Sequence, residues 1–123
     1  MNPILTKSYK AGATVSPYRI VKFGADDEHV VHAAAATDAM FGVSAELGAD
    51  AEERVDVHVA GIAEVEYGGA LSAGDLVTSD ANGKAVAAAP AAGTNNRVIG
   101  IARVSGVAGD IGSVFLYPGQ IQG

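Results

Sequence analysis

The residues best suited to bind a metal ion are two histidines beside a run of acids. His29 and His32 follow Asp26-Asp27-Glu28, and imidazole with carboxylate is a common ligand set for metal ions. On a β-strand, however, residues three positions apart point to opposite faces of the sheet. The spacing therefore favours a solvated hairpin end. His58, which stands between two valines, is interpreted as a surface histidine.

A second stretch begins like a calcium-binding loop. Asp80-Ala81-Asn82-Gly83 places an acid and an amide at alternate positions before a glycine. A calcium loop of this type needs a further acidic position before the glycine and a closing glutamate, and both are missing. The Asn-Gly pair instead predicts a tight turn between two strands.

No residue pattern predicts catalysis. None of the serines lies in a Gly-x-Ser-x-Gly sequence, and no glycine-rich phosphate loop is present. Glu64 and Glu66 would share one face of a strand, but two carboxylates without an apolar pocket form a solvated surface. We therefore expect no enzymatic activity, no cofactor and no bound metal.

Composition and charge narrow the function classes further. The 123 residues suffice for one domain, and without cysteine there are neither disulfides nor thiolate metal ligands. The net charge of −6 is uneven, because residues 1–25 carry four basic groups and no acid, whereas residues 26–123 carry four basic and fourteen acidic groups, a net of −10. An acidic body argues against nucleic acid as a partner. No apolar run has the length of a signal peptide or a membrane span, so we expect a soluble protein that is made in the cytoplasm and binds no membrane.

Internal similarity at one offset indicates two related halves. Phe41-Gly42-Val43-Ser44 is matched 58 positions later by Ile99-Gly100-Ile101-Ala102. At the same offset, Gly48 is matched by Gly106 and residues 57–61 by residues 115–119. Duplicated halves of this kind bury their apolar faces against each other, which predicts one shared core.

Alternation of apolar and polar residues predicts about ten short strands and therefore an all-β fold, a small barrel or sandwich. The clearest strands are residues 54–59 and 62–67, with Gly61 as a kink in one long bent strand. Residues 76–78 and 84–87 are predicted to form a hairpin, and Pro118 to end the closing strand. Residues 33–40 are the best helix candidate, although eight residues without an apolar stripe make a marginal helix.

The predicted organisation is an extended N-terminal arm (residues 1–10) followed by a single β domain (residues 11–123) with halves at about 11–66 and 71–123. The arm is basic and apolar, and the other end of the chain also carries apolar residues that a monomer would not need. The predicted contact residues are Ile4, Leu5, Lys7, Tyr9, Lys10, Tyr117 and Ile121. The alternative is that these side chains only cover the ends of a barrel.

Several stretches resemble the small capsid decoration (cement) proteins of tailed bacteriophages. They are residues 71–77, 80–84, 97–102 and 108–116, preceded by the strand with Val57, Val59 and Gly61. The resemblance covers roughly residues 40–117 and lies in turns and small apolar residues.

The resemblance implies a virion protein, made in the host bacterial cytoplasm, that binds the outer surface of the expanded phage head. Such proteins bridge neighbouring major capsid subunits, commonly as homotrimers at three-fold positions, and resist the pressure of packaged DNA. They carry no cofactor. The major capsid protein and further copies of the chain are thus the implied partners.

Two other classes stay open. A carbohydrate-binding module would stack exposed aromatic side chains on sugar rings, for which Tyr18, Tyr67 and Tyr117 are the candidates. An enzyme similar to trimeric β-barrel nucleotide hydrolases would need phosphate-binding glycines, a basic residue and an acid for a metal. Arg97 after Asn95-Asn96 is the only hint of this.

Overall fold

The described part of the molecule is all-β. In the computed structural model residues 5–122 are described, and they form nine β-strands and no helix that could cross a membrane. The strands are β1 (Leu5–Ala11), β2 (Ile20–Phe23), β3 (His29–His32), β4 (Met40–Ser44), β5 (Arg54–Glu66), β6 (Leu76–Ser79), β7 (Ala85–Ala87), β8 (Asn95–Ala102) and β9 (Ile111–Gln122). The predicted fold class is confirmed. Residues 33–40, the helix candidate, form no helix and connect β3 to the start of β4.

The first five strands close a small barrel, here called the first barrel. β1 pairs in parallel with β3, β3 pairs with β2, β2 with β4 and β4 with β5, and β5 returns to pair antiparallel with β1. Closure leaves no strand edge free within this circle. The interior is filled by small side chains, Ala11, Val15, Val21, Val30, Ala49, Val55 and Val57.

From Gly61 onward the chain repeats this arrangement as a second barrel. The C-terminal half of β5 takes the place of β1 and pairs antiparallel with β9, β9 pairs with β8, β8 with β6 and β6 with β7. A parallel bridge between Tyr67 and Ala85 completes the circle, as the β1–β3 pairing does in the first barrel. The long strand β5 therefore belongs to both barrels.

The two barrels match pair for pair. Val21 opposite Gly42 in the first barrel corresponds to Val77 opposite Gly100 in the second. The bridge from Val15 to Ala49 corresponds to the bridge from Leu71 to Gly106, so that Ala49, and not Gly48, is the counterpart of Gly106.

Between the later strands of the two halves, the offset changes by one residue. It is 58 between β4 and β8, because Ser44 opposite Val57 corresponds to Ala102 opposite Val114. The same pairs give 57 between β5 and β9, since they match the buried Val57 with the buried Val114. An offset of 58 there would match Val57 with the exposed Phe115, a one-residue slip that exchanges the two faces of the strand.

The predicted kink at Gly61 and the predicted turn at Gly83 are confirmed. Gly61 has a φ of 93° and lies inside β5, where the strand passes from the first barrel to the second. Gly83, at the predicted hairpin between β6 and β7, has a φ of 76°. Both values lie in the left-handed region that glycine adopts without the steric cost of a Cβ atom.

Two expectations about the chain ends need correction. Pro118 does not end the last strand, because β9 continues to Gln122 and the register between β8 and β9 shifts by a bulge beside the proline. A bulge accommodates a residue that cannot donate a ladder hydrogen bond. Residues 5–10 are extended, as predicted for the arm, but their backbone pairs with β5 from Leu5 to Lys10. In the described structure this segment is therefore a strand of the first barrel.

Candidate functional site

The predicted N-terminal contact residues lie on β1, except Ile4, which lies outside the described residues. Leu5, Lys7 and Tyr9 alternate along the strand and so share one face. Leu5 and Lys7 are exposed, and Tyr9 is half-buried against the first barrel. Lys10 is exposed on the opposite face.

Hydrogen bonds on that opposite face fix β1 to β5. Thr6 Oγ1 lies 2.9 Å from His58 Nδ1, and Ser8 donates its hydroxyl to Asp56 Oδ1 at 2.8 Å. His58 is thus half-buried on the outer face of its strand, as a surface histidine between two inward valines should be. Leu5, Lys7 and Tyr9 are consequently presented from a paired strand.

The basic charge of the N-terminal region divides into two parts. Arg19 forms an ion pair with Glu66 at 3.4 Å, and Lys22 one with Asp38 at 3.0 Å. Lys7 and Lys10 are exposed and form no ion pair with any residue between 5 and 122. These two lysines are therefore the free positive charges that β1 offers to a partner.

An ionic contact joins the two barrels at Glu66. Its carboxylate also accepts from Lys84 at 3.1 Å, so that one acid of the second barrel holds Arg19 of the first. Burial alone would raise the pKa of Glu66, but the hydrogen bond from Lys84 and the charges of Arg19 and Lys84 outweigh it and lower that pKa. The contact is therefore a structural one that ties the two barrels together.

Three aromatic side chains form a cluster at one end of the first barrel. Tyr9 packs edge-on against Phe23 and Phe41 with ring centroids 5.9 and 5.4 Å away, and Phe23 stacks on Phe41 at 4.2 Å. Phe23 remains 44% exposed. We call Tyr9, Phe23 and Phe41 the aromatic cluster. Exposed aromatic groups of this kind are favoured at protein interfaces.

The other predicted contact residues lie on β9. Tyr117 is 74% exposed and Ile121 is half-buried opposite Asn96. Leu5 pairs with Ala60, and Leu116 pairs with Gly61, so the start of β1 and the Tyr117 region both lie near the bend of β5. The structure thus brings Leu5 and Tyr117 to the same part of the molecule, whereas Lys10, opposite Arg54, and Ile121, opposite Asn96, lie farther along their strands.

A row of apolar side chains crosses the outer face of the second barrel. Leu76 is opposite Ile101, Ile101 is opposite Phe115, and Phe115 is opposite Ile62. Directly opposed residues point to the same face, so these four form a continuous row over β6, β8, β9 and β5. Leu76 is 37% and Phe115 46% exposed. We call this set the outer row.

The sequence did not single out the outer row or the two phenylalanines of the aromatic cluster. Phe115 and Tyr117 do alternate with Val114 and Leu116 in the sequence. This alternation indicates that both faces of β9 carry large apolar side chains, so that one of them faces solvent. The signal becomes readable only when the pairing partners on β8 and β5 are known, since the row is built from four separate strands.

His29 and His32 bond to different partners on opposite faces of the sheet. Asp26 Oδ1 lies 2.7 Å from His29 Nδ1, and Glu52 Oε1 lies 3.2 Å from its Nε2. His32 instead accepts the backbone N–H of Ser16 at 2.9 Å, on the other face of the strand. Among residues 5–122 no three histidine or acidic side chains are placed to hold a metal ion. Asp80 accepts the backbone N–H groups of Asn82 and Lys84, as a turn residue does.

The tyrosines considered for sugar stacking are dispersed. Tyr67 is fully buried in the second barrel, where its hydroxyl donates to the carbonyl of Val104 at 2.7 Å. Tyr18 is half-buried with a φ of 60°. Tyr117 is the only one of the three that is largely exposed. This arrangement offers no aligned platform for a sugar chain.

Comparison with known proteins gives a family and a related fold. The family model described as phage cement protein matches residues 2–115. No curated protein matches the chain. Among solved structures, the crystal structure of the head fiber gp8.5 N base in bacteriophage phi29 is similar, with a TM-score of 0.70 and 22% sequence identity over 94% of this chain and 95% of the other. At this level of identity the likeness concerns the fold.

Proposed function

The chain belongs to the phage cement protein family, and we propose that it decorates the outer surface of the expanded phage head. It bridges neighbouring major capsid subunits and stabilises the shell against the pressure of packaged DNA. The family match over residues 2–115 carries this proposal, and the fold shared with a phage head fiber base is consistent with it.

Binding of the assembled shell accounts for stabilisation without catalysis. A protein that binds only the expanded lattice favours that lattice by mass action. Many copies act together, so each contact need not be strong. No cofactor, metal or enzymatic step enters this function. Self-association as a homotrimer would give each decoration unit three capsid contacts.

The proposed capsid contact consists of Leu5, Lys7, Tyr9 and Lys10 of β1 with Tyr117 and Ile121 of β9, together with Ile4. Its support is threefold: Lys7 and Lys10 are exposed without an ion pair in the described structure, Tyr117 is largely exposed, and Leu5 and Tyr117 both lie near the bend of β5. The rest of the body is acidic, so these lysines orient the protein on an acidic patch of the shell.

The test is co-sedimentation with expanded heads that lack this protein. Removal of residues 1–10 is unsuitable, because β1 closes the first barrel. We instead compare Lys7→Glu and Lys10→Glu with Arg97→Glu, which reverses an equally exposed charge on β8. Each lysine variant should bind heads about tenfold more weakly, or about 1.4 kcal/mol, while Arg97→Glu binds as the wild type does.

Salt provides a second readout of the same contact. Wild-type binding should be saturable and should weaken between low and moderate salt, since exposed charges are screened. Failure of the folded wild-type protein to bind heads at any salt would overturn the proposed function. Equal binding by all three variants would overturn the role of β1 and leave the function standing.

A further inference from the structure

The contact between the two barrels joins two different surfaces. The first barrel contributes its outer side, from which Ile20, Ala33, Met40 and Val43 are buried in the same core cluster as the interior of the second barrel. The second barrel contributes its end, where Ser79 donates its hydroxyl to the carbonyl of Ala33 at 3.3 Å. Such a contact is head-to-tail and not a symmetric pairing of like surfaces.

Backbone hydrogen bonds make this contact specific. The N–H of Ile20 donates to the carbonyl of Gly83 at 2.7 Å, and the N–H of Arg97 donates to that of Ala36 at 2.6 Å. The contact therefore combines an apolar centre with a polar margin, as stable protein interfaces do.

Each surface of this contact has a counterpart in the other barrel that is left uncovered. Ile20 and Val43 are fully buried, but Leu76 and Ile101, which occupy the same register positions in the second barrel, lie in the outer row and reach solvent. The same holds for the barrel ends, since Ser79 is buried and its counterpart Phe23 is exposed.

The uncovered surfaces are no less apolar than the covered surfaces they correspond to. In the first barrel the row that begins with the covered Ile20 and Val43 becomes polar where it reaches solvent, at His58 and Thr6, which are hydrogen-bonded to each other. The outer row of the second barrel is apolar throughout. At the barrel ends, the covered end has Ser79 and Ile99 where the uncovered end has the larger rings of Phe23 and Phe41. Solvent exposure alone would favour the opposite trend.

We infer that the occupant of these surfaces is a second copy of this chain. The outer row of one copy docks on the aromatic cluster of the next, and repeats between chains the contact that joins the two barrels within a chain. This inference supplies the surfaces for the self-association proposed above, and it shares only Tyr9 of the aromatic cluster with the proposed capsid contact. A head-to-tail contact of this kind either closes into a ring or continues as a filament.

The test uses two variants that each disable one surface, followed by sedimentation analysis. Phe23→Glu places a charge in the aromatic cluster, and Phe115→Glu places a charge in the outer row, so that each variant disables one of the two docking surfaces. Each variant alone should be monomeric at concentrations at which the wild type is oligomeric. An equimolar mixture should form a heterodimer, because the intact outer row of one variant meets the intact aromatic cluster of the other. Leu47→Glu, which changes an exposed apolar residue outside both surfaces, should leave the wild-type state unchanged.

A thiol experiment locates the contact more closely. Within one chain, Ser79 of the second barrel bonds to Ala33 of the first. Phe23 is the counterpart of Ser79, and Ala88 is the counterpart of Ala33, because the N–H of Ala88 bonds to Leu76 as that of Ala33 bonds to Ile20. The contact between two chains should therefore bring Phe23 of one copy close to Ala88 of the next. The chain has no cysteine, so a mixture of Phe23→Cys and Ala88→Cys variants contains only these two thiols. Mild oxidation should give the mixed disulfide dimer at least tenfold in excess over a mixture of Leu47→Cys with Ala88→Cys.

The outcomes separate this inference from the proposed function. A wild-type monomer at all concentrations, with no excess of the mixed disulfide, would overturn the inference even if the protein sediments with heads. A variant mixture that stays monomeric while the wild type is oligomeric would also overturn it, because a symmetric contact cannot be complemented in this way. Loss of head binding in folded wild-type protein concerns the proposed function alone.

Discussion

The two barrels have the same strand register but fill their interiors with different side chains. Where the first barrel has Ala11 and Val55, the second has Tyr67 and Gly112. A Cβ atom at Gly112 would collide with the phenol of Tyr67, and one at Gly106 would lie 2.9 Å from its ring.

One large ring in the second barrel thus occupies the space that several smaller side chains share in the first. Ala49 of the first barrel corresponds to Gly106, so three positions change together. The total volume is kept while its distribution changes, which is how close-packed interiors tolerate substitution. The comparison teaches that the repeated backbone sets where volume is needed, and not which residue supplies it.

The largest expected effect comes from exchanging these interiors. Tyr67→Ala should lower the free energy of unfolding by about 3–5 kcal/mol, because it leaves a cavity and the carbonyl of Val104 without its hydroxyl partner. Gly112→Val should cost about 3 kcal/mol by overpacking against the ring. The double variant restores the Ala and Val of the first barrel and should be more stable than Tyr67→Ala alone. Urea unfolding of all three variants measures the coupling free energy between the two positions. If the losses of the single variants simply add up in the double variant, the two interiors are not interchangeable.

A smaller effect should distinguish the turns of the two barrels. Gly74 and Gly109 have φ values of 96° and 92°, and their counterparts Tyr18 and Glu52 have 60° and 69°. No atom lies within 4 Å of a Cβ atom built at either glycine, so an added side chain meets only the backbone cost of positive φ.

Gly74→Ala and Gly109→Ala should therefore each destabilise the protein by about 1–2 kcal/mol. Glu52→Gly should change stability by less than about 1 kcal/mol, since relief of positive φ is offset by the freedom that glycine adds to the unfolded chain and by loss of the exposed contact with His29. Thermal unfolding of the three variants measures their losses of stability and ranks them. Equal losses for all three would mean that the turns of the first barrel are held by contacts and not by their backbone conformation.

The smallest expected effect is a pH dependence confined to the first barrel, which contains all three histidines. Hydrogen bonds to Asp26 and Glu52 raise the pKa of His29. The folded state then holds the proton more tightly than the unfolded chain, so this contribution is present below about pH 6.5 and is lost as the pH rises through the folded pKa.

His32 acts in the opposite direction. Burial, with the charge of Arg19, lowers the pKa of His32, so the unfolded chain takes up the proton more readily and stability is lost as the pH falls below about 6.5. Melting temperatures between pH 5 and 8 should show His29→Gln to be more acid-sensitive than the wild type and His32→Gln less so. Parallel profiles for the two variants would contradict this assignment.

The comparison of the barrels also shows what sequence reasoning can reach. The bend at Gly61 and the turn at Gly83 were predictable because only glycine takes positive φ without cost, and the offset between β4 and β8 was visible because both strands keep a glycine at the same place. The all-β class followed from alternation in β5.

What sequence reasoning missed depends on which strands become neighbours. The one-residue change in offset at β9 is hidden because Val114 and Phe115 are both apolar, and only pairing with β5 decides which of them is buried. Pro118 predicts the end of a strand because proline donates no ladder hydrogen bond, and the sequence alone does not show the bulge that lets β9 continue past it. The outer row could not be foreseen for the same reason, since its four residues are far apart in the sequence.

The shared strand β5 also sets an order of folding during synthesis. The first barrel uses β5 only as far as Ala60, so all of its residues have been made by then and it can close soon after Ala60 has left the ribosome. The second barrel has to wait for β9, which starts only at Ile111. In the interval Ile20 and Val43 have no cover, and the nascent chain presents an apolar surface that its own later half has yet to bury. We therefore expect slow translation between β5 and β9 to expose this surface longest and to favour pairing with a neighbouring nascent chain.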